Sequence, residues 1–504
     1  MQDSFDLLIE KWIPVLYANG RPDRIGIRQA LTEAGSIRQI AASNPMDGVA
    51  LLRFLLAVLY WCKGSPPAQG EKDQILAAGQ FPADWFAKLD QQEDCFNLLG
   101  TGKRFYQYGD SSGAHGNVLT ANYLMHEVPT GTNALHFKHS TDGDDGLCLS
   151  CCAMGLVRLP LFSTSGGRGK PPGINAKPPI YVVPFGKSLL ETLQLNWAPV
   201  SSLGTPAWVS PGVRLPTSGN VPLLAGLTWL PRRVWLGDPS PPSGTCIACG
   251  RQEGALVHTC VFAGVTSAKM VDDAPARDWR DPHVVYKRDK DGALLSAHSG
   301  DSLSSPDVAS NQWAKCLRDL LTEGAAPLTM CHAATLAGSA SSAVSVSVVG
   351  FSSVKNDKYL EAWERRLTIP VTLVPRDGSE PAITHLEHWI KDAQKGWAKA
   401  RPREAKSSGL KHPELLSAFA AIRPHVESCV SANVAYLLTQ PDSAWTQAVD
   451  EYRRMMPVIT KSLAPGFTTR AVQRRNEIAS ALPDMTVKSA PKLRKPSAKE
   501  GGDE

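Results

Sequence analysis

The chain has 504 residues, 43% hydrophobic and 20% charged, with a formal net charge of +5. That is ordinary globular composition, enough for two or more domains at roughly 100–200 residues each. Eleven cysteines, an odd number scattered from Cys62 to Cys429, exclude a small secreted disulfide scaffold and fit a reducing cytoplasm. The mildly basic balance permits nucleic-acid binding without demanding it. Residues 1–6 are acidic and lack the apolar core of a signal peptide. The most apolar run, 49–61, contains Arg53 and falls short of the about 20 residues that a bilayer crossing needs. The expectation is a cytoplasmic protein with no membrane role.

In chain order, residues 5–17 read as a strand interrupted at Pro14, with a turn at Asn19-Gly20. Residues 25–34 read as a short strand running into a helix. Pro45-Met46-Asp47 opens an apolar helix reaching Cys62, with Asp47 as its expected N-cap. Residues 71–90 are expected to form an exposed helix, and residues 100–146 to be largely loop. Residues 178–183, 227–236 and parts of 255–290 and 342–375 carry strand signals, with a polar insert at 352–359. Residues 198–225, rich in Pro, Ser and Gly, suggest a long surface excursion. Downstream of Pro375-Arg376-Asp377-Gly378 the segments 382–400, 413–438, 443–463 and 468–482 have helical periodicity, and short connections between them imply a four-helix bundle. The tail after Met485 is rich in Lys, Pro and Ser and reads as disordered. The domain plan is therefore 1–378, 379–485 and 486–504.

The strongest chemical signal is a pair of Cys-x-x-Cys knuckles, Cys148/Cys151 and Cys246/Cys249. Two such pairs suit one tetrahedral zinc, and four thiolates close its coordination sphere, which makes a structural site. Cys152, next to Cys151, competes as a ligand only at the cost of the usual knuckle spacing. Between the knuckles lies a glycine turn, Gly166-Gly167-Arg168-Gly169-Lys170. It lacks the Gly-Lys-Ser/Thr ending of a phosphate-binding loop and fits neither that motif nor the dinucleotide fingerprint. His-Glu-x-x-His is absent from the sequence, and the twelve histidines are dispersed. The nearest His–Asp pairing is Asp281-Pro282-His283, read as structural. These features favour binding over catalysis.

On these residues the chain resembles the CasA family, the large subunit of the type I-E CRISPR Cascade complex. The resemblance runs from Leu8-Ile9-Glu10-Lys11-Trp12-Ile13-Pro14-Val15 through Thr132-Asn133 ahead of Phe137. It continues through the two knuckles with the glycine turn between them to the C-terminal helical pattern. It implies an α+β chain: a mixed α/β N-terminal domain holding a structural Zn(2+), then a four-helix bundle. It also implies a subunit that is not an enzyme. Such a subunit recognises the protospacer-adjacent motif (PAM) in double-stranded target DNA from the minor groove and starts unwinding. Its implied partners are crRNA, the other Cascade subunits and a helicase–nuclease recruited in trans. By resemblance, Gly166, Gly167, Gly169, Lys170 and Lys269 contact DNA, Asn356 and Lys358 serve in the wedge, and Asn133, Phe137 and Lys138 belong to a loop that anchors crRNA and complex. A zinc-dependent enzyme acting on nucleic acid, or a zinc-stabilised scaffold with no DNA contact, are the alternatives.

Overall fold

The computed structural model describes residues 4–100, 102–108, 117–125, 146–163, 170–175, 179–212, 221–241, 243–265, 279–288, 294–296, 326–337, 343–353, 360–371, 374 and 466–481, with isolated positions between 450 and 461. The chain divides into two compact units. One comprises Met1–Ala309, Ala325–Ser339 and Val344–Arg366; the other comprises Ser310–Gly324, Ala340–Ala343 and Leu367–Glu504.

The first unit is α+β. Strands β1 (Ile13–Tyr17), β2 (Pro22–Ile25) and β3 (Ile37–Ile40) form an antiparallel sheet in the order β2-β1-β3, with helix α1 (Ile27–Thr32) between β2 and β3. Residues 6–12, expected to be extended, are turns and bends instead. Pro14 lies inside β1, not at a break. Its carbonyl accepts from the Ala41 N–H, on the β3 side and one residue beyond the Val15–Ile40 pair, so its missing N–H falls past the end of that ladder.

Helix α2 (Pro45–Lys63) is the axis of the core. Asn44, not Asp47, is its N-cap: the Asn44 side chain accepts from the Met46 N–H at 3.0 Å. Pro45 presets the first turn, and Gly64 at φ +86° ends the helix. Asp47 stands in the first turn, where its carboxylate pairs with buried Arg158. The helix has 19 residues, longer than the apolar run alone suggested. It is long and apolar enough to cross a membrane by length and composition, but 83% of its apolar window is buried inside the protein. Apolar residues on all its faces are what a core helix requires.

The expected exposed helix at 71–90 breaks into α3 (Gln69–Ala78), a 3-10 turn (Ala83–Phe86) and α4 (Ala87–Gln91), with Ile75, Phe81, Phe86 and Leu89 buried. The excursion at 198–225 is not all surface. Trp208 is buried, its ring 5.7 Å from Phe54 and 5.8 Å from Trp61.

Beyond β4 (Asn117–Thr120), α5 (Leu149–Phe162) packs on α2. Strand β5 (Tyr181–Pro184), α6 (Leu189–Asn196), α7 (Leu223–Leu227) and β6 (Arg232–Leu236) follow. A short ribbon, β7 (Gly244–Thr245) and β8 (Gln252–Glu253), leads to β9 (Thr259–Gly264), which sits between β4 and β6 in an antiparallel sheet. Strands β10 (Tyr286–Arg288) and β11 (Leu294–Ser296) pair, and β12 (Ala343–Ser353) lies between β13 (Leu360–Pro370) and β5. In the second unit the fourth expected helix, 468–482, coincides with the helix Thr469–Ala481. The other three expected helices, apart from isolated helical positions in the third, and the tail from 486 lie outside the described residues, so the bundle does too.

Candidate metal centre

The two knuckles meet. Cys148 is the residue at the N-cap of α5 and Cys151 stands in its first turn, while Cys246 and Cys249 form the turn at the tip of the β7–β8 ribbon. The local sequence explains both halves. The Cys246 N–H donates to the Arg251 carbonyl and the Gly250 N–H to the Cys246 carbonyl, each at 2.8 Å. Gly250, at φ +71°, turns the chain where a side chain would be strained. Backbone bonds then dock one knuckle on the other: Leu147 N–H to Val257 O at 2.9 Å and Ile247 N–H to Gly146 O at 3.2 Å. A Cβ on Gly146 would stand 2.5 Å from the Leu256 Cβ, so only glycine permits that approach.

The four Sγ atoms lie within 4.8 Å of one another, and Cys148 Sγ is 3.7 Å from Cys249 Sγ. A tetrahedral zinc with bonds of about 2.3 Å places its sulfurs about 3.8 Å apart, so the donor set fits such an ion in size and chemistry. The fit is electrostatic as well. The Cys246 thiol is driven far down, because the Cys148 and Cys151 thiols and then the Cys148 N–H hydrogen-bond to its sulfur, the last at 3.3 Å. Cys151 is driven far up by its hydrogen bonds to Cys148 and Cys246 and by burial. In Cys148 the lowering effect of Cys151 is outweighed by Cys246 and burial, and the thiol is pushed up to about 12. Crowded, buried thiols of this kind share very little negative charge on their own, whereas a divalent cation would let all four ionise. Cys152 is fully buried beside them, and Cys260 is buried nearby; neither belongs to the four-sulfur group.

A second buried polar cluster escaped the sequence reading in part. Arg53, in the middle of α2, grips Asp281 with two hydrogen bonds of 2.5 and 2.7 Å. Asn175 donates to the same carboxylate at 2.9 Å, the His283 N–H donates to it at 3.0 Å, and the His283 Nδ1 lies 2.9 Å from Arg53. Burial, then the Arg53 charge, pushes the imidazole down to about 3, so the ring is neutral. The carboxylate is held below its usual range by Arg53 despite burial. Reading Asp281-Pro282-His283 as structural holds. The signal for its partner was the lone Arg53 in an apolar run.

Of the residues assigned to DNA by resemblance, Lys170 is described. It is half-buried, with Nζ 5.9 Å from the centre of the Phe262 ring. Gly166, Gly167, Gly169, Lys269, Asn356 and Lys358 lie outside the described residues, as do Asn133, Phe137 and Lys138. Strand order brings the two ends of the 354–359 insert together, since β12 and β13 are neighbours.

The family model for the CRISPR-associated protein Cse1 matches residues 6–401. The chain belongs to the Cse1 family. A relative, the CRISPR-associated protein CasA/Cse1 of Thermus thermophilus, is 30% identical over 221 residues, a stretch that covers 42% of this chain and 43% of that protein. The match in sequence thus spans less than half of the relative. The likeness in fold is wider. The solved structure of Thermus thermophilus CasA (Cse1) superposes with a TM-score of 0.61 at 22% identity, covering 95% of this chain and 98% of that one. Thermobifida fusca Cse1 gives 0.61 at 18%, covering 97% and 100%. A chain from a CRISPR RNA-guided surveillance complex gives 0.60 at 15%, covering 95% and 99%. The four-cysteine centre thus lies inside a Cse1 fold.

Proposed function

We propose that this Cse1-family chain is the large, non-enzymatic subunit of a type I-E Cascade complex, acting in the cytoplasm. In that role it reads the PAM in target duplex DNA, begins its unwinding and helps recruit a helicase–nuclease. The observation that carries the reading is the family match over residues 6–401, joined to a closed four-cysteine centre where a structural ion would sit. Cys148, Cys151, Cys246 and Cys249 would hold Zn(2+). With four protein donors the ion has no open position for a substrate, so it serves to pin the β7–β8 ribbon to α5. The segment between the knuckles carries Gly166, Gly167, Gly169 and Lys170, and pinning its ends limits what that segment can do.

The chemistry of the remaining residues suits the task. The minor groove presents a degenerate pattern of acceptors, so a lysine such as Lys269 can donate there while several sequences are tolerated. Glycines bring backbone close to base edges. Asn356 and Lys358, at the β12–β13 connection, would part the first base pair at a cost of about a few kcal/mol, offset by pairing with crRNA. Asn133, Phe137 and Lys138 would anchor the chain on crRNA and the other subunits. The domain plan 1–378, 379–485 and 486–504 is retained as part of this proposal.

The test uses purified full-length chain in the reconstituted complex. Metal analysis is expected to return one zinc per chain, DNA affinity to fall steeply with salt, and the chain alone to leave DNA uncut in magnesium. Charge reversal at Lys269 and Lys358 is expected to weaken target binding. Unchanged binding in that double variant would favour a scaffold without DNA contact.

A further inference from the structure

A cavity of about 350 Å³ opens in the first unit, away from the cysteine centre. Its walls come from the end of β3 and the loop after it, the first turn of α2, the loop after β5, and the faces of β12 and β13. Its lining is mixed: Val49, Leu52 and Val349 are apolar and nearly fully buried, and Gln39, Ser43, Asn44 and Thr192 are polar. The rim carries Arg38, Lys187 and Arg366 against a single carboxylate, Glu364. That carboxylate is already engaged, accepting from Ser347 Oγ at 2.7 Å and from Arg366 Nε at 3.1 Å. Arg38 and Lys187 are exposed and have no ion-pair partner among the described residues. The guanidinium of Arg366 lies 5.4 Å from the centre of the Phe185 ring, which presents a flat cationic and aromatic edge.

Gly48 supplies the second observation. It stands in the first turn of α2, where a glycine costs about 1 kcal/mol relative to alanine. Its backbone has no positive φ, and a Cβ placed on it would meet nothing within 4 Å. Neither conformation nor close packing calls for glycine there. What it does is leave the cavity open, since it is one of the lining residues.

We propose that this cavity is a nucleotide subsite: a base lies in its mixed lining beside the Phe185–Arg366 edge, and its phosphate is held by Arg38, Lys187 and Arg366. Convergent donors at the rim of a cavity whose volume falls in the usual range for a small-ligand site suit such an occupant. A flat ring joined to an anion matches both parts, whereas an acidic side chain matches only the rim. The phosphate can belong to a nucleic-acid strand or to a free nucleotide. The proposal rests on the nucleic-acid role above but names a contact remote from the knuckles.

The experiment uses full-length chain, a short fluorescent single-stranded DNA and, separately, adenosine 5′-monophosphate and adenosine. Gly48→Leu is expected to fill the cavity, keep or raise the melting temperature, and weaken strand binding roughly tenfold. The double variant Arg38→Glu, Lys187→Glu is expected to weaken strand binding as much and to lower the salt slope by about 0.7, the share of one phosphate. If the monophosphate also binds, and loses binding in Gly48→Leu while adenosine never binds, free nucleotides are a source. If only the strand responds, the strand is the source. Unchanged strand and monophosphate affinity in both variants would overturn the subsite. PAM discrimination by the complete complex, read on the same variants and on Lys269→Ala, separates the two ideas: Gly48→Leu can fail to alter strand binding while Lys269→Ala still erases discrimination.

Discussion

Two buried polar clusters lie in the same unit and differ in how their charge is balanced. In the Arg53–Asp281 cluster the guanidinium and the carboxylate balance each other's charge, with an asparagine amide and a neutral imidazole beside them, although the buried Arg53 Nε and His283 Nε2 have no hydrogen-bond partner among the described residues. In the cysteine cluster four sulfurs lie within 4.8 Å of one another, too crowded to ionise together unless a cation joins them. The first is balanced in charge and locks α2 to the segment before β10. The second is a donor set whose size and chemistry fit a divalent cation. A buried site that balances itself is structural on its face, whereas one that does not points to a ligand.

The largest expected effect breaks the cysteine side of that contrast. Zinc bound by such a set contributes apparent free energies of about 10–16 kcal/mol in small zinc domains. The double variant Cys148→Ser, Cys246→Ser is therefore expected to lose its metal and most of the cooperative melting of the first unit. Metal analysis beside calorimetry checks it. An intact transition with no metal in either protein would return the four sulfurs to ordinary core residues.

Next comes the self-balanced cluster. Asp281→Asn leaves Arg53 buried and uncompensated, at a cost of about 3–5 kcal/mol. The paired change Arg53→Met, Asp281→Leu is expected to recover much of that loss. Urea unfolding of the wild type and these two variants measures it, and a loss in the double variant well above that of Asp281→Asn would mean that the pair is not coupled. Zinc content should stay unchanged in all of them, which is what separates the two clusters.

Acid sharpens the contrast further. The buried His283 sits at about 3 in the folded chain and at about 6.5 when unfolded. Between those values the unfolded chain binds the extra proton. The stabilisation is fully present above pH 6.5 and is lost as pH falls, by up to about 1.4 kcal/mol per pH unit. Asp281, held low by Arg53, adds to the loss at the acid end. His283→Gln should flatten the profile between pH 6.5 and 4, and an unaltered slope would remove the histidine from the explanation. The smallest effect is at the cap of α2. Asn44→Ala deletes the bond to the Met46 N–H and is expected to cost about 1 kcal/mol, with neither cluster disturbed.

The same pair of clusters marks what could be read from sequence. Cys148/Cys151 and Cys246/Cys249 were legible because each half of the site is a local motif, two thiols three residues apart. Their convergence followed from the chemistry of zinc. Arg53 and Asp281 are 228 residues apart; each stood out locally, one in an apolar run and one in an Asp-Pro-His step, but nothing local pairs them, so only the fold could join them. The strands near Ile13–Tyr17, Tyr181–Pro184 and Arg232–Leu236 were visible in outline from their β-branched and apolar runs. Boundaries were not. Asn44 took the cap that Asp47 seemed to offer, because Arg158, 111 residues away, claims the Asp47 carboxylate. Trp208 was hidden by its Pro- and Ser-rich surroundings, which describe the backbone and not the pocket its ring fills. Arg38, Lys187 and Arg366 gave no signal singly, since each is an ordinary exposed cation until the sheets bring the three to one rim.

The most direct measurement is the affinity of reconstituted complex for PAM-bearing and PAM-scrambled duplex at fixed salt, with wild-type chain, with Lys269→Ala, and without the chain. The account predicts that discrimination requires the chain and is erased by Lys269→Ala. Equal discrimination with and without the chain would contradict it and leave a zinc-stabilised scaffold in place of a PAM reader.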